Sequence, residues 1–344
     1  MLPLSALSVP PAGYDLASHR LPPLAIGPAL ADWNHRRAEL DGLWRAYLGH
    51  GPQQVPLDAE VVSTETVEGL QRSRVRYQVE DGCRVDAYLL VPPGDGPFPA
   101  VVVYHPTTPA TLREPVGLAG SPERWFALNL ARRGWVTLSP CNYLWDYRGH
   151  PGPKPGLAAF KRLVRGELLA RYPSWTGMGK MVWDGLRAVD FLVSQPSVDP
   201  ARLGCVGHSL GGKQVLYSMA LDPRLQAGVA CEGGLGLPFT NWDAPWYLGE
   251  AIRARRDLEH HQLLALAAPR ALLILGGGLK PRAADAVDGA ADSIQDWSYL
   301  EAARPAFALQ GAAERLGLYL HNHGHAVPPQ AEAYMYAWLA AFLQ

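Results

Sequence analysis

The stretch Cys205-Val206-Gly207-His208-Ser209-Leu210-Gly211-Gly212 decides how the rest of the 344-residue chain is read. An apolar run from Arg202 precedes it and reads as a short buried strand. Lys213, Val215, Leu216 and Met219 follow it at helical spacing. Gly-x-Ser-x-Gly between a strand and a helix is a nucleophile elbow. The turn is so tight that neighbouring side chains would collide, hence Gly207 and Gly211 on either side of the serine. The Ser209 hydroxyl then projects from the strand end, and the Leu210 amide faces a developing oxyanion from the helix start. The alternative is a glycine-rich turn with an incidental serine; the strand before it and the helix after it favour the catalytic reading.

The length suits two average domains or one large α/β domain. Lys and Arg number 31 against 32 Asp and Glu, a balance with no electrostatic footprint for nucleic acid or an anionic membrane. Arg253, Arg255 and Arg256 read as a solvated helix face. No window approaches a membrane-spanning length of apolar residues. The opening Met1-Leu2-Pro3-Leu4 lacks a basic segment followed by an apolar run, so the expectation is no signal peptide and a cytoplasmic protein. Cys83, Cys141, Cys205 and Cys231 are scattered without a Cys-x-x-Cys, and no disulfide is indicated.

Residues 1–58 read as an N-terminal helical packing arm. Trp33, Arg37, Leu40, Leu43, Trp44 and Leu48 are spaced as one or two amphipathic turns, with Asp32 as N-cap. Residues 59–344 read as one catalytic domain. Ser73–Val79 and Arg84–Val91 alternate around an Asp81-Gly82 hairpin turn, giving antiparallel strands at a sheet edge. Pro99–His105 is a continuous apolar strand of the kind buried on both faces. A helix is expected over Ser121–Arg133, a strand over Trp135–Ser139, and a rim loop from Asn142 to about Ser174 with Asp146, Arg148 and His150. Further on come a helix over Gly179–Ser194, the elbow, and strands Ala227–Cys231 and Arg270–Leu275. A helix from Trp297 to about Leu316, a strand Leu318–His321 and a closing helix Gln330–Phe342 complete the pattern. Such alternation implies a mainly parallel central sheet flanked by helices. Gly233 to Ala268, with Phe239, Trp242, Trp246 and Tyr247, departs from it and reads as a cap-like insert roofing the pocket.

A serine hydroxyl needs a base, and the base needs an orienting group. With the chain order Ser, acid, His, the base falls in Leu320-His321-Asn322-His323-Gly324-His325. His325 is preferred because it follows Gly324 just beyond the last strand; His323 and His321 remain alternatives. His-x-His-x-His is also a possible metal comb, but no cysteine or carboxylate lies beside it, and no metal is assigned. His208 points away from Ser209 by the turn geometry, and His260 and His261 diverge on a helix. Candidate acids are Asp285, Asp288 and Asp292 after one strand and Glu232 after another; Glu232 would serve equally well to bind loop amides. The second oxyanion donor is the amide of Thr107 or Thr108, since Pro106 has none. His105 reads as a buttress of that loop and a neighbour of the pocket.

Tyr104-His105-Pro106, Gly207–Gly212, Asn241–Leu248, Ala291-Asp292…Trp297 and Gly324-His325 together resemble the α/β-hydrolase superfamily, over roughly residues 60–344. Within it the chain is similar to dienelactone hydrolase/acetyl xylan esterase-like bacterial carboxylesterases. The resemblance implies an α/β-hydrolase fold, nucleophile Ser209, base His325 and an acid in an Ala-Asp-x-x-x-x-Trp segment. That segment matches Asp292, although Ser293 replaces the usual glycine while Asp288 does precede one. Dienelactone hydrolases proper use a cysteine, so Ser209 points to ordinary esters. Related glucuronoyl esterases carry a lysine near Lys213 that meets a sugar carboxylate, but also a basic residue where this chain has Leu210.

The leading expectation is a serine carboxylesterase acting without cofactor on a small-molecule ester, with acetylated carbohydrates or small acyl esters as substrates. A prolyl-oligopeptidase-like peptidase is the second reading, weakened by an N-terminal region too short for a propeller. A non-catalytic binding protein on the same fold is the third. Trp242, Trp246 and Tyr247 are the expected pocket walls.

Overall fold

The computed structural model describes residues 3–14, 21–148, 150–151, 164–238, 240–280 and 289–343. Nine strands form the central sheet: β1 Glu60–Val67, β2 Leu70–Glu80, β3 Cys83–Val91, β4 Phe98–Tyr104, β5 Val136–Pro140, β6 Val198–His208, β7 Leu225–Cys231, β8 Ala271–Gly276 and β9 Leu316–Leu320. Their spatial order is β1-β2-β3-β5-β4-β6-β7-β8-β9. The first three pair antiparallel and β3 meets β5 antiparallel; from β5 to β9 every pairing is parallel. The β2–β3 hairpin closes where expected, with Gly82 at φ 63 supplying the left-handed residue of the turn. In the parallel half the strands are apolar throughout because helices cover both faces.

On one face lie α1 Leu30–Leu48, α3 Gly177–Val193, α4 Leu210–Leu221, α5 His260–Ala267 and α6 Trp297–Ala308. On the other lie α2 Phe126–Ala131 and α7 Pro329–Leu343, whose Phe126, Leu130, Trp338 and Leu339 pack on Val101, Val103, Val206 and Leu273. The sheet thus separates two cores, and the carboxyl ends of its parallel strands converge on one edge. Among the described residues no helix is long and apolar enough to cross a membrane.

Several elements differ from expectation. The arm's helix is a full 19 residues rather than one or two turns. Asp32 lies inside its first turn and reaches back to the Ala29 amide (3.2 Å). Buried Trp33, Leu40, Trp44 and Leu48 join the main core, and Trp44 Nε1 donates to Gln262 of α5 at 2.9 Å. The expected Ser121–Arg133 helix breaks at Trp125 into a 3-10 turn and α2. The helix from Trp297 stops at Ala308; Gly311 at φ 65 turns the chain, and β9 starts at Leu316. The connection from β7 to β8 ends in a regular crossover helix, α5, so only about Gly233–Glu259 is added to the alternating pattern.

Candidate active site

β6 delivers the chain into Ser209 at φ 58, ψ −113, and α4 begins at the next residue. A β-carbon on Gly207 would lie 2.4 Å from the Gly211 carbonyl carbon, and one on Gly211 would lie 2.2 Å from the Tyr104 carbonyl oxygen. Backbone presses on backbone at both points, so glycine is required there. The Ser209 amide donates to the Cys231 carbonyl at 2.8 Å, tying the turn to β7. The amide of Leu210, first residue of α4, stands at the positive end of the helix.

The next strand ends in a second strained residue. Glu232 follows β7 at φ 52, and its amide donates to the Leu275 carbonyl at 2.9 Å. Its carboxylate is wholly buried. One oxygen, Oε1, accepts from the Gly277 amide; the other accepts from the Ala291 amide at 2.5 Å and from Nδ1 of His325 at 3.1 Å. Burial pushes the Glu232 carboxyl up to about 7, the His325 hydrogen bond opposes that shift, and the Asp292 charge reinforces it. With Nδ1 of His325 turned to the carboxylate, Nε2 is the nitrogen left for a serine hydroxyl. The imidazole is about one-third exposed, and its ring centre lies 4.7 Å from that of His208.

Of the candidate acids it is Glu232, not the preferred Asp292, that meets His325. Asp292 is buried, and its two oxygens accept from the Leu235 amide (2.7 Å) and the Gly234 amide (3.0 Å), not from His325. Asp285 and Asp288 lie outside the described residues. Glu232 does what the sequence offered as two alternatives: it meets the imidazole and it binds loop amides. The other two histidines stay apart from this contact. His321 is buried and its Nδ1 accepts from the His323 amide at 3.2 Å, whereas the His323 side chain is exposed.

His105 braces two loops. Its Nδ1 donates to the Pro106 carbonyl (2.8 Å) and its Nε2 accepts from the Asn142 amide (3.0 Å), while burial pushes the imidazole down to about 4. Thr107 is exposed beside it and Thr108 is buried. His208 is buried, its imidazole pushed down to about 3 by burial and by His325 nearby.

Of the expected pocket residues, His105, Trp242, Trp246 and Tyr247 are all buried. Trp242 Nε1 donates to the Gly234 carbonyl at 2.8 Å, and its ring stands edge-on to His260 at 4.4 Å. The Lys213 ammonium sits 3.7 Å above the same ring. Trp242 is thus held by contacts within the segment and with α4 and α5. Phe239 lies outside the described residues. The sequence reading overlooked one cluster: fully buried Lys180 pairs with Glu80 at 2.8 Å and with Asp184 at 2.6 Å. The i,i+4 spacing of Lys180 and Asp184 was its only local sign.

Sheet order, elbow and strand-end residues together make this chain an α/β-hydrolase in fold. Residues 85–245 match the model of the dienelactone hydrolase family. A glucuronoyl esterase from Solibacter usitatus superposes with a TM-score of 0.71 at 17% identity, covering 96% of this chain and 99% of that one. An acetyl xylan esterase from Paenibacillus sp. R4 gives 0.52 at 17% identity, covering 94% and 97%. In sequence the chain is 25% identical over 189 residues to YtaP of Bacillus subtilis (strain 168), 53% of this chain and 59% of that protein.

Proposed function

We propose that the protein is a serine carboxylesterase whose substrates are carbohydrate esters. The observation that carries this reading is the His325 Nδ1–Glu232 Oε2 contact of 3.1 Å, made one strand away from the Ser209 elbow. In the first step Nε2 of His325 takes the Ser209 proton as Oγ attacks the ester carbonyl. The tetrahedral oxyanion faces the amide of Leu210 and that of Thr107, each contributing about 3 kcal/mol at the transition state. The protonated imidazole then gives its proton to the leaving alkoxide, and an acyl group remains on Ser209. Water, activated by the same imidazole, releases the acid. Glu232 holds the imidazole with Nδ1 protonated and stabilises the imidazolium.

The sugar-ester part of the proposal is supported by the likeness to glucuronoyl and acetyl xylan esterases over nearly the whole chain. Acetylated xylo-oligosaccharides, methyl glucuronate and p-nitrophenyl acetate to decanoate, assayed side by side, test it. The expected result is turnover of a sugar ester at a kcat/KM at least tenfold above the best p-nitrophenyl ester. Preference for long acyl chains would replace the sugar reading with a lipid-like one, and absence of all ester hydrolysis would remove the enzymatic one.

A further inference from the structure

Asp292, displaced as acid, lies close to the group that took its place. Glu232 is held in the left-handed region, a conformation that is strained for a residue with a β-carbon and persists only where its surroundings impose it. The turn that follows is pressed against the elbow helix: a β-carbon on Gly233 would lie 2.8 Å from the Gly212 carbonyl carbon. Gly234 at φ 79 then brings two successive amides, those of Gly234 and Leu235, onto the two oxygens of Asp292. The Asp292 carbonyl accepts from the Gly278 amide at 3.1 Å, anchoring the residue to the end of β8. Its neighbour Ala291 donates to the Glu232 carboxylate itself. The same loop therefore holds Glu232 at the carboxylate and, through Asp292, at the backbone just beyond it.

We propose that Asp292 is a positioning residue: by gripping the Gly234 and Leu235 amides it fixes the turn that presents Glu232 to His325. The proposal rests on Glu232 being the triad acid. A charged acceptor suits two converging N–H groups, since each such hydrogen bond is stronger than a neutral one. Asp296 lies in the same loop: it is buried, accepts from the Ser293 amide at 2.7 Å, and burial together with the Asp292 charge holds its carboxyl far above the usual range. The grip also reaches the added segment, because the carbonyls of Gly234 and Leu235 accept from Trp242 and His260.

A double-mutant cycle on the full chain tests this, with kcat and KM measured on p-nitrophenyl acetate and folding followed by thermal unfolding. Asp292→Asn offers one acceptor oxygen and turns an amide nitrogen to the other N–H. It should lower kcat about 10- to 100-fold, as misplacement of a catalytic group does, with KM within about twofold. In a Glu232→Gln background the same change should cost less than about threefold, because the group it positions is already disabled. Full multiplication of the two effects, or an unchanged kcat in Asp292→Asn, would overturn the proposal. Wild-type turnover by Glu232→Gln alone would overturn the triad reading beneath it, a separate result. Should Asp292→Asn not fold, Asp292→Ser, smaller and with one hydroxyl acceptor, enters the same cycle with the same expectations.

Discussion

Glu232 and Asp292 invite comparison because they stand beyond the ends of neighbouring parallel strands, both buried, both accepting backbone amides. Glu232 follows β7 directly, and its longer side chain spends one oxygen on Gly277 and the other on Ala291 and His325. Asp292 comes well after β8, and both of its oxygens are taken by Gly234 and Leu235. Each carboxylate accepts two main-chain amides, and Glu232 takes the imidazole as a third partner. Position relative to the elbow and to His325 separates the two, not hydrogen-bonding capacity.

The largest effect sets the floor. Ser209→Ala should fold as the parent does and lose about 10⁵-fold or more in kcat, the scale of nucleophile deletions, as read by ester hydrolysis and circular dichroism. Glu232→Gln should follow at roughly 10³- to 10⁴-fold, because an amide in that place favours the wrong imidazole tautomer. If Asp292→Asn proves the more damaging of the two, the comparison is reversed.

Gly277 touches Glu232 and Gly324, the residue before His325. A β-carbon there would lie 1.9 Å from the Gly324 carbonyl oxygen and 3.1 Å from Oε1 of Glu232. Gly277→Ala should displace the His325 loop, cutting kcat about 100-fold and stability by about 1–3 kcal/mol, measured by kinetics and urea unfolding. Trp242→Ala should instead register mainly in stability, by about 3–5 kcal/mol, since the fully buried ring hangs from the turn that Asp292 grips. A changed ester preference with unchanged stability would return Trp242 to the pocket wall.

The smallest effect is a shift in pH dependence. The Glu232 carboxyl, raised to about 7, takes up a proton as pH falls through that value and then no longer stabilises an imidazolium. Activity should therefore decline below about pH 7. Removing the neighbouring charge in Asp292→Asn takes away one cause of the elevation, so the acidic limb should move to lower pH, as kcat/KM against pH would show. A limb that moves upward would contradict this electrostatic account.

The fold was legible because its signals are local. Continuous apolar strands, the Asp81-Gly82 turn and the glycines around Ser209 each answer to a few neighbouring residues. The geometry around His325 was half legible, since Gly324 and the end of the last strand marked the loop. The acid was not. Which carboxylate meets the imidazole depends on a positive φ at Glu232 and on amides from Gly277 and Ala291, brought together by the pairing of β7 with β8. The burial of the aromatics was illegible for a related reason: Trp242 and Tyr247 are packed through contacts with His260, Lys213 and the start of α3, none of them visible as a periodic pattern.

The most direct test of the central claim is peptide-mapped labelling by a fluorophosphonate, with the rate followed in the parent, Glu232→Gln and Asp292→Asn. The account predicts a single adduct on Ser209, slowed most in Glu232→Gln and less in Asp292→Asn. An adduct elsewhere, or a Glu232→Gln protein that labels at the parental rate, would contradict it.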